Sequence, residues 1–282
     1  MTGIVVHGGA GLIAPERFDR MRAGVRAAAA AGDELLAAGR SALDAVVAAV
    51  RVLEDDPEFN AGVGSTLTRD GTVETDAAVM DGATRRVGAV AAVPDLGCAV
   101  ALARAVLDAG EHVLLAGPAA WRFAAEVGIA PAPPGSLVTE RQRQRLAQRM
   151  GTVGAVARDR DGRFAAATST GGVVGKRAGR VGDSPIAGAG TWADTACAVS
   201  ATGDGEAIIR VALAHSLAVR AADDLPAAAR TVLAELRAVT AGSAGLIAIT
   251  RSGFVGVQLT PAMPIAWVVE GDRGDSIGTQ IP

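Results

Sequence analysis

"TVGAVARDRDGRFAAATST", residues 152–170, predicts a β-hairpin, because two runs rich in Val, Ala and Thr flank the dipeptide Asp161-Gly162. An Asp-Gly pair is typical of the tight turn that joins two antiparallel strands. Gly151 comes just before this segment, so Thr152 is the first residue of the first strand. The question is whether Thr152 only begins a strand or also carries chemistry.

Strands and helices continue on both sides of this hairpin. "GIVVHGG" at 3–9 predicts a strand, and residues 66–93 predict three strands separated by Asp-Gly turns. Three closing strands are expected between residues 243 and 271. Apolar periodicity predicts helices over 15–39, 41–55, 96–109, 117–127, 205–221 and 225–239. Ser41 is a suitable N-cap for the second of them. Many hairpins beside paired helices favour an α+β fold with antiparallel sheets and helices outside.

The composition argues against several kinds of partner. The 282 residues are 50% hydrophobic and 20% charged, with a formal net charge of −3. That balance speaks against nucleic acid or an anionic membrane surface as the main partner. Aromatic residues make up only 3% and Tyr is absent. We therefore expect a core of closely packed small aliphatic side chains.

The two cysteines, Cys98 and Cys197, both sit in apolar surroundings. We predict two buried free thiols, which fits a reducing compartment. The N-terminus shows no basic segment followed by a long apolar one, and no apolar run is long enough to cross a membrane. The sequence therefore predicts a cytoplasmic protein with no membrane partner.

Several common catalytic motifs are missing from the sequence. His7, His112 and His215 are far apart, and neither HExxH nor CxxC occurs, so we expect no catalytic zinc or iron site. A GxSxG nucleophile elbow and a GxxxxGK[ST] phosphate loop are also missing. "HGGAG" at 7–11 resembles the oxyanion loop of esterases, but without a serine partner we interpret it as a tight turn where backbones approach closely.

The character of the sequence changes over residues 130–151, which are rich first in Pro and then in Arg and Gln. We predict a linker there, because the segment has little to bury. A surface helix over 138–149 is the alternative. A chain break at the end of this linker, between Gly151 and Thr152, would give Thr152 a free α-amine beside its hydroxyl.

A threonine with a free α-amine can act as a nucleophile without a histidine. The pKa of an α-amine in a short peptide is about 7.7–8.0, so a modest downward shift makes it a base at neutral pH. That amine can then activate the hydroxyl of the same residue. Gly151 suits a self-cutting junction, because glycine tolerates a strained backbone and leaves room for the attack. From these residues alone, a plain strand start is the simpler interpretation.

Five motifs in a fixed order are far more specific than any one of them. They are "IVVHGGAG" at 4–11, "LEDDPEFNAGVGSTLTRDGTVETDAAVMDG" at 53–82, "MGTVGAVARDRDGRFAAATSTGG" at 150–172, "GKRAGRVGDSPIAGAG" at 175–190 and "TGDGE" at 202–206. Together they resemble the plant-type asparaginase and isoaspartyl peptidase family of N-terminal nucleophile hydrolases, over nearly the whole chain. The resemblance implies a single α+β domain, a four-layer αββα sandwich. It also implies self-cleavage into an α subunit, 1–151, and a β subunit, 152–282, and a dimer of these αβ heterodimers.

The resemblance assigns catalytic roles to four residues. Thr152 would be the nucleophile, Thr170 would contact and tune it, and Thr202 and Gly203 would form the oxyanion hole. A hydroxyl and a backbone N–H at a glycine turn can both point at a developing oxyanion. The alternatives are a strand-end hydroxyl that bonds locally at Thr170, and a helix N-terminus with Thr202 near its cap.

Three further residues would bind the substrate, namely Arg180, Asp183 and Gly205. Arg offers a planar fork to the α-carboxylate, and Asp accepts from the α-ammonium. The alternative for Arg180 and Asp183 is an ion pair between the two across a surface loop, which would be of small energetic value.

The same resemblance implies a structural sodium ion in the loop after the second helix. Its ligands would be backbone carbonyls, which suit a hard cation, and Asn60 would tie the loop together. A loop satisfied by water is the alternative. The residues that match the family's sodium loop are Leu53, Glu54, Asp56, Phe59, Ala61 and Val63.

The function implied is a self-processing amidohydrolase that needs no organic cofactor. It would release L-aspartate from L-asparagine or from β-aspartyl (isoaspartyl) dipeptides through a threonyl acyl-enzyme. A glycosylasparaginase-like hydrolase is a second interpretation, although those relatives usually carry Asp rather than Gly before the nucleophile. An uncleaved scaffold or small amino-acid binder is a third, because the segment before Gly151 is short.

Overall fold

The structure, a computed structural model, describes residues 2–133, 135–138, 142, 151–221 and 224–278. Within them the chain forms a mixed α and β structure with a large and a small sheet. The large sheet has the order β12-β11-β1-β5-β6-β2-β3-β4. Its strands are β1 Gly3–His7, β2 Glu74–Asp81, β3 Val87–Pro94, β4 Leu114–Ala116, β5 Val153–Arg158, β6 Phe164–Thr170, β11 Ile265–Val269 and β12 Asp272–Ser276.

The small sheet has the order β10-β9-β8-β7. Its strands are β7 Thr191–Ala193, β8 Cys197–Gly203, β9 Ala244–Thr250 and β10 Phe254–Gln258. Strands β5 and β6 of the large sheet contact β7 and β8 of the small one. Apolar side chains from both sheets, among them Val5, Val156 and Ile247, form one buried cluster. Small side chains along these strands allow this close approach, as the low aromatic content predicts.

Helices cover the outer faces of the two sheets. On the large sheet lie α1 Phe18–Ala37, α2 Ala42–Glu54, α3 Ala99–Ala109 and the short α4 Ala120–Glu126. Against the small sheet pack α5 Gly205–Val211, α6 Leu213–Ala218 and α7 Leu225–Thr240. Ser41 caps α2 as predicted, since its side chain accepts a hydrogen bond from the backbone N–H of Asp44 at 3.1 Å.

The central hairpin is confirmed. Strands β5 and β6 pair antiparallel with Val153 opposite Ser169, and the turn between them contains Asp161 and Gly162. Strand β5 pairs with β1 on its other side. Thr152 therefore enters the middle of the large sheet rather than its edge.

Other predictions need correction. The predicted helix 205–221 is broken into α5 and α6, because Ala212 adopts a left-handed conformation with φ 47°. The strand expected at the start of residues 66–93 is reduced to two isolated bridges, from Leu67 to Val73 and from Thr68 to Lys176. Strands β4, β7 and β12 were not predicted, and β4 pairs with β3 in parallel. The linker predicted at 130–151, and the alternative helix at 138–149, fall largely outside the described residues.

Both cysteines are free, as predicted, but only Cys197 is buried, while Cys98 is partly exposed. Burial raises the pKa of the Cys197 thiol to about 12, so it is unreactive at neutral pH. Over the described part of the chain, no helix combines the length and the apolar character needed to cross a membrane.

Candidate active site

Thr152 directly precedes β5 and is almost fully buried, with 6% of its surface exposed. Its backbone continues a strand that is held on both sides by β1 and β6. This arrangement fixes the direction of the Gly151–Thr152 peptide bond, because a central strand cannot rotate without breaking its ladder. A nucleophile at this position is attached to a rigid element.

The turn after β1 packs directly on the peptide bond that would be cut. Gly9 has φ 100°, and a β-carbon added there would lie 2.7 Å from both the carbonyl carbon and the carbonyl oxygen of Gly151. A β-carbon on Gly151 would lie 2.5 Å from the Ala10 nitrogen. Glycine is therefore required on both sides of this contact. We predicted a tight turn with close backbone approach at "HGGAG", and the structure adds that the approaching backbone is that of Gly151.

Thr202 lies at the same place, near the end of β8, and is fully buried. Its Oγ1 accepts a hydrogen bond from the Ala10 N–H at 3.1 Å. A β-carbon on Gly151 would lie 2.7 Å from this same oxygen. A hydroxyl that accepts one hydrogen bond still has its own proton to donate. Thr202 is not the N-cap of α5, which is Asp204.

Thr170 ends β6 beside the junction. Because Val153 pairs with Ser169, the next antiparallel position sets Thr152 opposite Thr170. On the other side, Thr170 pairs with Asp76 of β2. Its hydroxyl accepts a hydrogen bond from the Gly172 N–H at 2.9 Å, which is the local bond expected of a strand-end threonine. The structure therefore brings Thr170 next to Thr152 in the sheet and also gives its hydroxyl a local partner.

Arg180, Asp183 and Gly205 also come together. A β-carbon on Gly205 would lie 2.8 Å from Arg180 Nη2 and 2.8 Å from Asp183 Oδ1. The two charged residues do not form the surface ion pair that was the alternative. Arg180 instead donates to both carboxylate oxygens of Glu206, at 2.9 and 2.8 Å.

Asp183 is a buried carboxyl with 3% of its surface exposed. Burial raises its pKa to about 7; a hydrogen bond from its own backbone and the charge of Arg180 oppose the shift, whereas Asp76 and Glu206 add to it. Its Oδ2 has no hydrogen-bond partner among the described residues. An unpaired buried carboxyl oxygen is costly, and an ammonium group would satisfy it.

A buried chain of polar groups leads away from the junction, and the sequence did not reveal it. The His7 side chain contacts the backbone of Thr152, and its Nε2 lies 2.9 Å from Ser200 Oγ. Burial lowers the pKa of His7 to about 3, although the nearby Thr152 backbone opposes this shift, and the buried Nδ1 has no hydrogen-bond partner among the described residues. The imidazole is therefore neutral at any working pH.

The chain continues through Thr168, whose Oγ1 lies 2.8 Å from Ser200 Oγ. Thr191 Oγ1 bonds to Thr168 Oγ1 at 2.7 Å and to the carbonyl oxygen of Ser184 at 3.0 Å. Ser184 follows Asp183, so this chain links the end of β1, next to the candidate nucleophile, to the loop that carries the candidate substrate residues. Its members alternate between two sheets, which is why no local sequence pattern shows it.

The loop after α2 brings backbone carbonyls close together. Gly62 has φ 51°, and a β-carbon there would collide with the carbonyl oxygens of Glu54 and Gly97. The carbonyl oxygen of Val63 accepts a hydrogen bond from Gln142 Nε2 at 3.1 Å. The described residues contain no cluster of three His, Cys, Asp or Glu side chains suited to a metal ion.

Asn60 connects this loop to the candidate active site. Its Nδ2 donates to the carbonyl oxygen of Gly172 at 2.7 Å, and its Oδ1 accepts from the Thr66 N–H at 2.8 Å. Glu54, at the end of α2, accepts a hydrogen bond from the Ser169 hydroxyl at 2.6 Å. The loop is thus tied to the two residues that flank Thr170 and Gly171.

A cavity of about 560 Å³ opens beside the junction. Gly151, Gly203 and Glu206 contribute to its lining, together with Ala10 of the turn after β1. Gly151 and Glu206, the partner of Arg180, therefore face the same space, which is large enough for a small-molecule ligand; Arg180 and Thr152 do not line it.

The chain is similar to several known proteins over nearly its whole length. The sequence profile of a family described as asparaginase matches residues 1–150 and 146–278. The chain is 44% identical over 287 residues to a Bos taurus protein named isoaspartyl peptidase/L-asparaginase, covering 95% of this chain and 93% of the relative. It is 42% identical over 304 residues to a Homo sapiens protein of the same name, with 99% of each covered. An Escherichia coli protein named isoaspartyl peptidase is 42% identical over 316 residues, with 98% of each covered.

Proposed function

Because this chain belongs to the asparaginase family, we propose that it hydrolyses the side-chain amide of L-asparagine and the β-peptide bond of isoaspartyl dipeptides, with release of L-aspartate. It acts as an amidohydrolase with Thr152 as the nucleophile. The observation that carries this proposal is the packing of Gly9, Ala10 and Thr202 around Gly151. Such packing immobilises one peptide bond next to a threonine hydroxyl and exposes it to a ligand-sized cavity.

Self-cleavage comes first in this proposal. The Thr152 hydroxyl oxygen attacks the carbonyl carbon of Gly151, the bond from that carbon to the Thr152 nitrogen breaks, and the nitrogen takes up the hydroxyl proton. The product is an ester with a free α-amine. Water then hydrolyses the ester, which leaves a carboxylate on Gly151 and restores the hydroxyl. The products are an α subunit, 1–151, and a β subunit, 152–282.

Substrate hydrolysis then uses the same hydroxyl. The α-amine of Thr152 accepts its proton while the oxygen attacks the side-chain carbonyl carbon of the substrate. The Thr202 hydroxyl and the Gly203 N–H donate to the oxyanion, and one such donor contributes about 3–4 kcal/mol in the transition state. The leaving amine takes the proton from the α-amine. Water attacks the resulting acyl-enzyme, and L-aspartate departs.

Arg180 and Asp183 hold the α-substituents of the substrate. The Arg180 guanidinium binds the α-carboxylate, which replaces Glu206 as the acceptor for its two donors. Asp183 accepts from the α-ammonium, which keeps its carboxylate ionised. Gly205 leaves room between the two charged groups. Thr170 orients the nucleophile from the neighbouring strand.

We also propose a four-layer αββα sandwich in one domain, a dimer of αβ heterodimers, and a cytoplasmic location. The helices on the outer faces of two contacting sheets support the layer order. The two free thiols support a reducing compartment. The family resemblance is the support for the dimer.

A structural sodium ion fits the loop after α2. The carbonyls of Leu53, Glu54 and neighbouring residues would hold it, and the crowding of carbonyl oxygens near Gly62 supports this assignment. The ion would stiffen the loop that Asn60 ties to Gly172, and it would take no part in the chemistry.

Intact mass spectrometry together with ammonia release tests the proposal. The wild-type chain should split between Gly151 and Thr152 and then release ammonia from L-asparagine. Thr152→Ala should do neither, while Thr152→Ser, which keeps a hydroxyl, should retain both at a lower rate. An uncleaved wild type without activity would favour the small amino-acid binder. Activity on glycosylated asparagine but not on free asparagine would favour the glycosylasparaginase-like hydrolase.

A further inference from the structure

The cavity beside Gly151 is larger than asparagine hydrolysis requires. Its volume of about 560 Å³ falls in the range of roughly 300–1,000 Å³ that is typical of sites for drug-sized ligands. Ammonia, the leaving group from asparagine, needs almost no space. The part of the cavity beyond Gly151 and Gly203 is therefore available to a larger leaving group.

One wall of this space is aliphatic. Leu12 is a large apolar side chain that remains 73% exposed. Exposed apolar surface inside a concave site marks contact with the apolar part of a ligand. The aliphatic residues larger than alanine that line the cavity are Leu12, Val173, Val174, Leu259 and Pro261. We call this set the aliphatic wall.

Among the described residues, the cavity lining includes one cationic side chain, Arg237, that makes no hydrogen bond or ion pair. Asp204, Glu206 and Arg237 all contribute to the lining. Glu206 accepts both hydrogen bonds from Arg180, and Asp204 Oδ2 accepts from the Ser243 N–H at 2.8 Å. Arg237 lies near the end of α7, and no hydrogen bond or ion pair joins its side chain to another residue in the described ranges. A guanidinium in such a position is suited to a carboxylate.

We propose that Arg237 and the aliphatic wall form a subsite for the leaving residue of an isoaspartyl dipeptide, an inference that rests on the proposed function. The guanidinium binds the free α-carboxylate of that residue, and the wall contacts its side chain. The preferred substrates are then β-aspartyl dipeptides with an aliphatic second residue. Longer isoaspartyl peptides are poorer substrates, because the corresponding carboxyl group is part of a neutral peptide bond.

The test compares β-aspartyl-leucine with its C-terminal amide, which differs only in the charge that Arg237 would bind. We measure kcat/KM for both in one preparation of processed enzyme and take their ratio, so the fraction of active protein cancels. Arg237→Gln should lower the ratio about fivefold, as expected for a partly exposed charge pair. Arg237→Lys should retain most of it. Arg230→Gln removes the same charge from the same helix outside the cavity and should leave the ratio at the wild-type value.

Several outcomes would overturn the subsite. One is an unchanged ratio in Arg237→Gln, and another is an equal fall in Arg230→Gln. Hydrolysis of L-asparagine without hydrolysis of either dipeptide would reject the subsite and leave the amidohydrolase assignment intact. Failure of the processed enzyme on all three substrates would reject the proposed function, and the subsite with it.

Discussion

The carbonyl carbon of Gly151 lies so close to Gly9 that a β-carbon on Gly9 would approach it to 2.7 Å. Gly9 follows the first strand of the chain, and Gly151 precedes the fifth. Their contact joins the ends of two neighbouring strands, β1 and β5, at the one peptide bond that the proposed mechanism cuts.

We expect Gly9→Ala to slow the cleavage of the Gly151–Thr152 bond by at least about tenfold. The added methyl group must displace the carbonyl that Thr152 attacks, and misplacement by about 1 Å can cost a factor of roughly one hundred in rate. The measurement is the fraction of cleaved chain over time by intact mass spectrometry. Gly71→Ala is the matched control, because Gly71 also has a positive φ, 75°, but nothing within 4 Å of an added β-carbon. Equal slowing in both variants would contradict the steric explanation.

We expect the kcat/KM for L-asparagine to fall as the pH drops below about 7. Burial raises the pKa of Asp183 to about 7, and a protonated carboxyl cannot pair with the substrate ammonium. kcat should fall less in this range, because the bound ammonium keeps Asp183 ionised in the complex. Steady-state kinetics from about pH 5 to about pH 9 would show the difference. If kcat and kcat/KM fell at low pH with the same midpoint, the result would argue against this role of Asp183.

A second pH effect concerns stability and arises from Glu54. Burial raises its pKa from 4.5 to about 7, so the folded state keeps a proton that the unfolded state has lost between these values. The stabilising contribution of Glu54 is therefore complete below about pH 4.5 and is lost as the pH rises through about 7.

Glu54→Gln removes this dependence. The free energy of unfolding of the variant, taken relative to that of the wild type, should rise by on the order of 3 kcal/mol when the pH is raised from about 4.5 to about 8. Urea unfolding at both pH values measures the gain. Glu235→Gln, at an exposed residue paired with Arg220, serves as the control and should show little change. A constant difference between Glu54→Gln and wild type would refute the raised pKa.

We expect Thr168→Val to destabilise the fold by about 1–3 kcal/mol, because the buried hydroxyls of Ser200 and Thr191 each lose one of their hydrogen bonds. The two side chains have nearly the same shape, so a cavity does not explain the loss. Thr231→Val is the control. Thr231 donates to the Ala227 carbonyl on an exposed helix face, and its replacement should change stability by less than about 0.5 kcal/mol. Equal destabilisation by Thr168→Val and Thr231→Val would show that the buried chain of hydroxyls does not contribute to stability.

The sequence predicted the elements with strong local signals. The β5–β6 hairpin follows from its Asp-Gly turn, and the start of α2 from the cap at Ser41. It did not predict the break in the helix at Ala212, because Ala is the best helix former and only its surroundings impose φ 47°. Strand β12 was missed because "DRGDS" has no strand pattern. It pairs with β11, and Arg22 and Arg26 of α1 hold its Asp275.

In the candidate site, too, some residues were identified from the sequence and others only from the structure. Thr152, Thr202 and Arg180 were assigned their expected roles through the family resemblance, which rests on the motifs that contain them. Glu206 lies in the "TGDGE" motif, but the motif did not show that it pairs with Arg180, and Arg237, which lines the cavity, belongs to no motif. Glu206, at the start of α5, and Arg237, near the end of α7, line the same cavity as Gly151 because the fold brings these two helix ends together.

By itself, the sequence predicted most of the strands and helices, and it pointed to the Gly151–Thr152 junction and to the residues proposed to react there. Those features depend on interactions between residues close together in the chain. Tertiary structure alone decided that Gly9 packs on Gly151, that Asp183 is buried with a raised pKa, and that His7 joins a chain of hydroxyls between two sheets. These features arise where distant segments exclude water, and both desolvation and close contact depend on the folded neighbours rather than on the chain on either side.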